Sequence, residues 1–355
     1  MITASLLIRA SHAPETILKI VAAANALFFA TFLAIAFMAS GEARAADIVC
    51  TGQNMLPGLA AAKLQQIEAD AAKTPNGDAR LWKIEKVGLK PSYLFGTMHM
   101  TDPRVISLTP DAQKVYDGAD TVVIETTEIL DEKKAAAALF SKPELMMFTD
   151  TTTLSSLVKP EDLAALEKGL ADRGIPLLTV NKMKPWMIAG LVALPACELK
   201  RKKGGAPFLD IKLAKDAKAA GKKIAGLETM VEQISAMAEL PIDFHVQGLV
   251  DTVKLGDEMD DVMETMIVLY TEGRVGMIMP FLKSIAPEGA NDSAKYGDFE
   301  EVMINARNKI MAERAEQILA NGNAFIAVGA LHLSGSNGLV EKFRQAGYSV
   351  TQAGR

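Results

Sequence analysis

Thr121-Val-Val-Ile-Glu125 is the stretch that most narrows the folds open to this chain. It is β-branched and apolar with no alternation, which is the pattern of a strand buried on both faces. Such a strand needs covering layers above and below, and the segments between the strand-like runs supply helices. "PSYLFG" reads as a second strand, ending at Gly96, and Lys223–Leu227 as a short third one, ending at Glu228. A fourth, "NAFIAVGALH", leaves the turn at Asn321-Gly322. "ARLWKIEK" alternates Leu81 and Ile84 with polar partners, and Gly88 and Pro91 set the turn that joins it to "PSYLFG".

The intervening helices are read from apolar spacing and end signals. Leu59, Leu64, Ile67 and Ala71 predict a helix from Asp47 to Pro75, and "DAQKVYDGAD" a short one stopped at Gly118. Leu130 to about Leu199 is mostly helical, with "SKPEL" and "KPEDL" as starts. "FLDIKLAKDAKAAGKK" ends at Gly221, Asp243 to about Phe281 is helical, and Asp298–Ala320 is one long helix after a loop at "APEGANDSAKYGD". "GLVEKFRQAGYSV" closes the chain with a helix and a strand. The fold class expected is α/β, a central mostly parallel sheet with helical insertions. The domain plan is one unit over 46–355 with a helical insertion at about 130–200.

Four strand ends carry chemistry: His99, Glu125, Glu228 and His332. In open α/β sheets ligands bind beyond the carboxyl ends of the strands, so parallel, adjacent strands bring these groups together. Two of them share a spelling, Gly96-x-x-His99 and Gly329-x-x-His332, in a chain with only four histidines. A glycine at each strand end permits a turn, or a close approach, that other residues resist. Two imidazoles and one or two carboxylates suit Mn, Co, Zn or Fe as a divalent ion, or general acid–base work without one. The expected metal set is His99, His332 and Glu125, with Glu228 as general base or outer partner. Glu228 also has a plainer use, capping the helix that starts at "TMVEQ". His245 lacks this setting and is expected to be structural.

On the helix 298–320, Met303, Arg307, Ile310, Met311, Arg314 and Ile318 share one stripe. Arginines among apolar side chains need acidic partners. Arg307 is the candidate to pair with a site carboxylate or a substrate oxyanion, and Arg314 to snorkel to solvent. Methionines elsewhere read as core filler, and the "KRKKGG" run at Lys200–Gly205 as a solvated loop. A net charge of −5 and the lack of a basic stripe interleaved with aromatics exclude a nucleic-acid surface.

The apolar run from about Ile20 to Ala39, followed by Ala43-Arg44-Ala45, reads as a signal peptide over residues 1–45, cleaved before Ala46. Roughly 20 apolar residues also span a bilayer, so a retained anchor over 20–39 is the alternative. Either way the remainder is exported, periplasmic or secreted. The two cysteines, Cys50 and Cys197, are then a natural disulfide pair, two buried thiols being the other reading.

"WKIEK", "PSYLFGTMHMTDPRV", "ADTVVIE", "KPWMIAGL", "AKAAGKKIAGLETMVEQ", "ARNKIMAERAEQIL" and "AFIAVGALHLSGSNGLVEKFRQAGYSV" together resemble the TraB/GumN (PrgY) family, from about Cys50 to the C-terminus. That family is grouped with the Tiki metalloproteases and more distantly with erythromycin esterase and ChaN-like proteins. The resemblance implies an α/β sheet with helical insertions. It places an active site on Gly96/His99, Glu125 and Gly329/His332, with the late Arg-Asn pair on Arg307 and Asn308. The chain departs from the pattern at "APFLD", Ala206–Asp210, where the glycine usual before the aspartate is missing, and Asp210 is not among the candidates. Tiki relatives imply a divalent metal, esterase relatives no obvious metal, and ChaN-like relatives haem iron. The function expected is an exported, metal-dependent hydrolase of peptidase or esterase type, acting on a peptide or small molecule. The alternative is a non-catalytic envelope protein that binds haem, metal or peptide.

Overall fold

Among the described residues six strands form one sheet: β1 (Leu81–Glu85), β2 (Ser92–Thr97), β3 (Thr121–Ile124), β4 (Lys223–Gly226), β5 (Ala324–Gly329) and β6 (Ser349–Gly354). Their order is β4-β3-β5-β2-β1-β6. The first four in that order run parallel, and β1 pairs antiparallel with both β2 and β6. The structure is a computed structural model and describes residues 48–285 and 293–354. Residues 49–199 and 207–354 fall in one unit, and residues 48 and 200–206 in another. The leader expected over 1–45 lies outside the described residues, as do residues 286–292 of the expected "APEGANDSAKYGD" loop, whose remainder is helical within Ser293–Glu300. No helix among those described is long and apolar enough to cross a membrane.

The period of two along each strand divides the core. Leu81, Phe95, Val122, Ile124, Phe325 and Ala327 face one side, under the helices Leu209–Ala219, Glu258–Thr271 and Ile278–Ile285. Trp82, Ile84, Leu94, Val123, Ile326 and Val328 face the other, against Ala306–Leu319 and Leu339–Gln345. β3, expected to be buried on both faces, is so buried, as are β2 and β5, whereas β4 at the sheet edge is half-buried to exposed, and the fold is the mostly parallel α/β sheet read from the sequence. Residues 132–199 are helical in short segments, and the helix Ile242–Leu255 packs on Pro160–Ala171 and Pro185–Val192.

Several local expectations are corrected. The helix expected over 47–75 is confined to Ala61–Ala71, with a 3-10 turn at Leu56–Gly58. Pro57 has no N–H to give, and Cys50 is tied by a disulfide to Cys197 (Cα–Cα 5.4 Å). The basic run taken for a loop is helical through Lys203, in Ala196–Lys203. β4 stops one residue early, because the Leu227 amide turns to the Ile124 and Glu125 carbonyls and the Glu228 amide to the Glu125 carbonyl. The long late helix is broken by a π turn at Glu301–Asn305, between Ser293–Glu300 and Ala306–Leu319.

Candidate active site at the carboxyl edge of the sheet

The order β4-β3-β5-β2 sets the four chemistry-bearing strand ends side by side. β5, the last of the four in the chain, enters between β3 and β2. Its Gly329 is registered against Thr97, so His99 and His332 leave the same edge two and three residues later. Glu125 directly follows β3 and reaches across to β5, where its Oε1 accepts the Gly329 amide at 2.7 Å.

The two glycines do different work, and neither has a positive φ. A Cβ on Gly96 would stand 3.0 Å from the Ala330 Cα, so this glycine lets β2 meet the turn after β5. A Cβ on Gly329 would meet Glu125 Oε1 at 3.2 Å, His332 Cδ2 at 3.4 Å and His99 Nε2 at 3.9 Å. Gly329 thus keeps open the space on which the three candidate ligands converge.

Arg307 ties the acidic groups together. Its Nε and Nη2 grip Glu228 as a fork at 2.9 and 2.6 Å, Nη2 also reaches Glu125 Oε2 at 3.1 Å, and Nη1 bonds the Met303 carbonyl at 3.2 Å. Gln233 Nε2 donates to Glu125 Oε2 at 2.9 Å and to Glu228 Oε2 at 3.3 Å. Burial would raise the Glu125 carboxyl, but the facing imidazoles, Arg307 and the Gly329 amide outweigh it and hold the pKa down at about 2. Burial also works against the Arg307 charge, and its bonds to Glu228 and Glu125 more than restore it. Two carboxylates and one guanidinium leave one net negative charge beside the imidazoles.

His332 is buried in the 3-10 turn Ala330–His332, and its Nδ1 lies 2.8 Å from Asn308 Oδ1. Asn308 Nδ2 is committed to the Asn337 carbonyl, so Nδ1 carries the proton and Nε2 the lone pair, 3.9 Å from Glu125 Oε1. Burial pushes His332 down to about 4, against the pull of Glu125, so the ring is neutral at pH 7. His99 is the open member, its side chain 53% exposed and its ring tilted on Phe208. Its Nδ1 is 4.0 Å from Asp210 Oδ2. Asp210 is buried near the start of Leu209–Ala219, takes the Thr97 hydroxyl on Oδ1 at 2.8 Å, and has no hydrogen bond on Oδ2. Burial raises its pKa, against the opposing effect of His99.

The five candidate side chains and two glycines at this edge therefore gather in one place, joined by Asp210, Gln233 and Asn308. Glu228 is not the helix cap: Thr229 and Glu232 form a reciprocal capping box there. Arg314 bonds Glu232 and the Leu227 carbonyl near the surface, as a flank arginine should. His245 is buried, with Nε2 2.7 Å from the Met237 carbonyl. Asp210 and Gln233 carry no role in the sequence reading. The available signals were the hydroxyl of Thr97 on the Gly96–His99 turn and an amide one helical turn after Glu228.

The donors fit a divalent metal in kind and direction: His332 is locked with Nε2 inward, Asp210 keeps an orphaned oxygen behind His99, and Gly329 leaves the cradle clear. Their separations do not yet close a shell, since no three His, Cys, Asp or Glu among the described residues stand at coordinating distance. A cavity of about 260 Å³ opens on these groups. A larger groove of about 570 Å³ beside it shares Ile304 and Leu331 but none of the site's titratable groups.

Several known proteins are similar to this chain. The zebrafish (Danio rerio) protein named metalloprotease TIKI1 is 26% identical over 329 residues, covering 79% of this chain and 65% of its own length. Zebrafish metalloprotease TIKI2 is 24% identical over 312 residues, covering 76% and 60%. The metalloprotease TIKI homolog of Nematostella vectensis is 22% identical over 331 residues, covering 79% and 68%. The chain thus spans less than two thirds of the length of the two zebrafish relatives. No solved structure matches. The sequence pattern of the TraB/PrgY/gumN family matches residues 80–352, the span that holds every strand end described above, and the chain belongs to that family.

Proposed function

We propose that this protein is an exported, divalent-metal-dependent hydrolase acting on a peptide or ester, with His99, His332 and Glu125 as the groups that would hold the metal. One observation carries the reading: two imidazoles and a carboxylate converge over the bare α-carbon of Gly329. Relatives named as metalloproteases and the Cys50–Cys197 disulfide, typical of oxidising compartments, support it. A divalent metal, when bound, polarises a carbonyl and activates water.

The remaining work falls to the chain's own groups. Asn308 holds His332 in the tautomer whose Nε2 faces inward. Glu228 and Gln233 fix Arg307 and Glu125, so the Glu125 carboxylate stays charged and aimed. Arg307 spends four of its five N–H groups on protein oxygens, which leaves one on Nη1 for a developing substrate oxyanion at the cavity wall.

The test is titration of purified, metal-free protein with Mn, Co and Zn by calorimetry. One ion per chain is expected, with affinity falling by tenfold or more in His332→Ala and His99→Ala. If no ion binds stoichiometrically, or both variants bind like the parent, the reading is wrong. A ligand retained through purification without turnover would favour the binding-protein alternative.

A further inference from the structure

The cavity that holds His99, Glu125, Arg307 and His332 has a second, chemically opposite wall. Met98, Met266, Ile278, Phe299, Met303 and Leu331 line it. They come from the turn after β2, the helices Glu258–Thr271, Ile278–Ile285 and Ser293–Glu300, the π turn, and the turn after β5. Met100, Met259, Met277 and Met311, by contrast, are buried in the core. Met98, Met266 and Met303 are only half-buried, as are Phe299 and Leu331, so part of their apolar surface faces the cavity beside the polar cluster.

We propose that this wall is a specificity subsite for one uncharged apolar group, of leucine, methionine or phenylalanine size, next to the scissile carbonyl. The inference rests on the hydrolase reading above and names its substrate class. Size supports it: about 260 Å³ holds roughly nine waters' worth of volume at about 30 Å³ each, enough for one such side chain with its carbonyl. That is below the roughly 300 Å³ at which pockets for drug-sized ligands begin. Charge supports it too. Among the described lining residues the four site groups are the only ionisable ones besides Tyr270, whose hydroxyl is bound to the Gly96 carbonyl. A charged or sugar-like group placed here would lose its water and find no partner beyond the site itself. Three unbranched thioethers give the wall adaptability, so linear and aromatic groups are both accommodated.

The test separates recognition from turnover. Full-length protein labelled with 13C at the methionine methyls is titrated with N-acetyl-leucinamide, N-acetyl-phenylalaninamide, N-acetyl-glycinamide and N-acetyl-lysinamide. The leucine and phenylalanine probes are expected to shift the Met98, Met266 and Met303 methyls saturably and to leave Met311, on the far face of the sheet, unmoved. The glycine and lysine probes are expected to bind at least tenfold more weakly. Met266→Trp, which fills the cavity, should weaken the phenylalanine probe tenfold, and Met266→Leu should not. Equal affinity for all four probes, or shifts away from these methyls, overturns the subsite. Turnover is then followed with Mn on leucyl and glycyl anilides and on the matching esters. Cleavage indifferent to leucine or glycine refutes the subsite and spares the hydrolase reading; selective binding with no cleavage does the reverse. The ratio of anilide to ester rates identifies which carbonyl class the site accepts.

Discussion

Removing Arg307 should unbalance the whole site, and the size of the effect follows from its surroundings. Arg307→Leu leaves Glu125 and Glu228 facing each other, with side-chain exposures of 8% and 2%, and without their shared cation. Breaking a buried pair by deleting one partner costs about 3–5 kcal/mol, a large part of the roughly 5–15 kcal/mol that holds a typical domain together. For a chain of this size that is a fall in Tm of about 4–7 °C. The pH dependence carries the sharper signature. Glu125 is held at about 2 in the folded protein against 4.5 unfolded, so its stabilisation is present above pH 4.5 and is lost as pH falls toward 2. The difference corresponds to about 3 kcal/mol at roughly 1.36 kcal/mol per pH unit. His332 adds a second window: it stays neutral in the fold down to about 4, so stability also declines as pH falls from 6.5 toward 4. In Arg307→Leu one of the groups that lowers Glu125 is gone while the imidazoles and the Gly329 amide remain, so the lower window should narrow and less stability should be lost to acid than in the parent. Urea denaturation of metal-free protein, followed by circular dichroism from pH 3 to 8, measures both. A variant within about 1 kcal/mol of the parent, with the same pH profile, would refute this account of the ion pair.

Three further perturbations read other parts of the structure. Asn308→Leu removes the acceptor on His332 Nδ1; nitrogen-detected NMR should show mixed tautomers, and metal affinity should fall by about 10–100-fold. Gly96→Ala, forced against the Ala330 backbone, should cost about 1–3 kcal/mol in denaturant, whereas Gly329→Ala should leave stability nearly unchanged and abolish metal binding in the same calorimetric titration. Reducing Cys50–Cys197 opens a covalent link across 147 residues and should cost up to about 5 kcal/mol by the chain-entropy account. Because Glu198, next to Cys197, holds the Thr101 amide and hydroxyl at 2.7 and 2.8 Å, reduction should also speed hydrogen exchange at Thr101, two residues from His99.

The strand ends were legible because they depend on short-range grammar. An unbroken apolar run, a glycine, then a polar residue identifies the edge of a doubly covered sheet whatever the partners are, and a parallel sheet does the rest by lining up carboxyl ends. Asp210 was not legible, because its role comes from the helix Leu209–Ala219 lying against β3, so that a carboxylate over a hundred residues from His99 in sequence arrives 4.0 Å away. The double grip of Arg307 was half-legible. Its place on an apolar stripe demanded an acid, but only the early stop of β4 at Gly226 swings Glu228 to the Glu125 backbone and lets one guanidinium serve both. The overlong first helix failed for a similar reason, since a disulfide to residue 197 overrides local spacing around Cys50.

The repeated Gly-x-x-His spelling hides two different devices, and their difference explains the geometry of the site. After Gly329 the chain coils at once into a 3-10 turn, which buries His332 and hands its Nδ1 to Asn308. After Gly96 it runs on outward, leaving His99 half in solvent with Asp210 behind it. The two interlock, because the Ala330 that begins the buried turn occupies the space Gly96 leaves bare. One half of the site is therefore fixed by the core, with Glu125, Arg307 and His332 all below 15% side-chain exposure. The other half is an imidazole on a surface turn. The side of the site that faces solvent is therefore the His99 side, and there the buried Asp210 Oδ2, which has no hydrogen bond, stands 4.0 Å from His99 Nδ1.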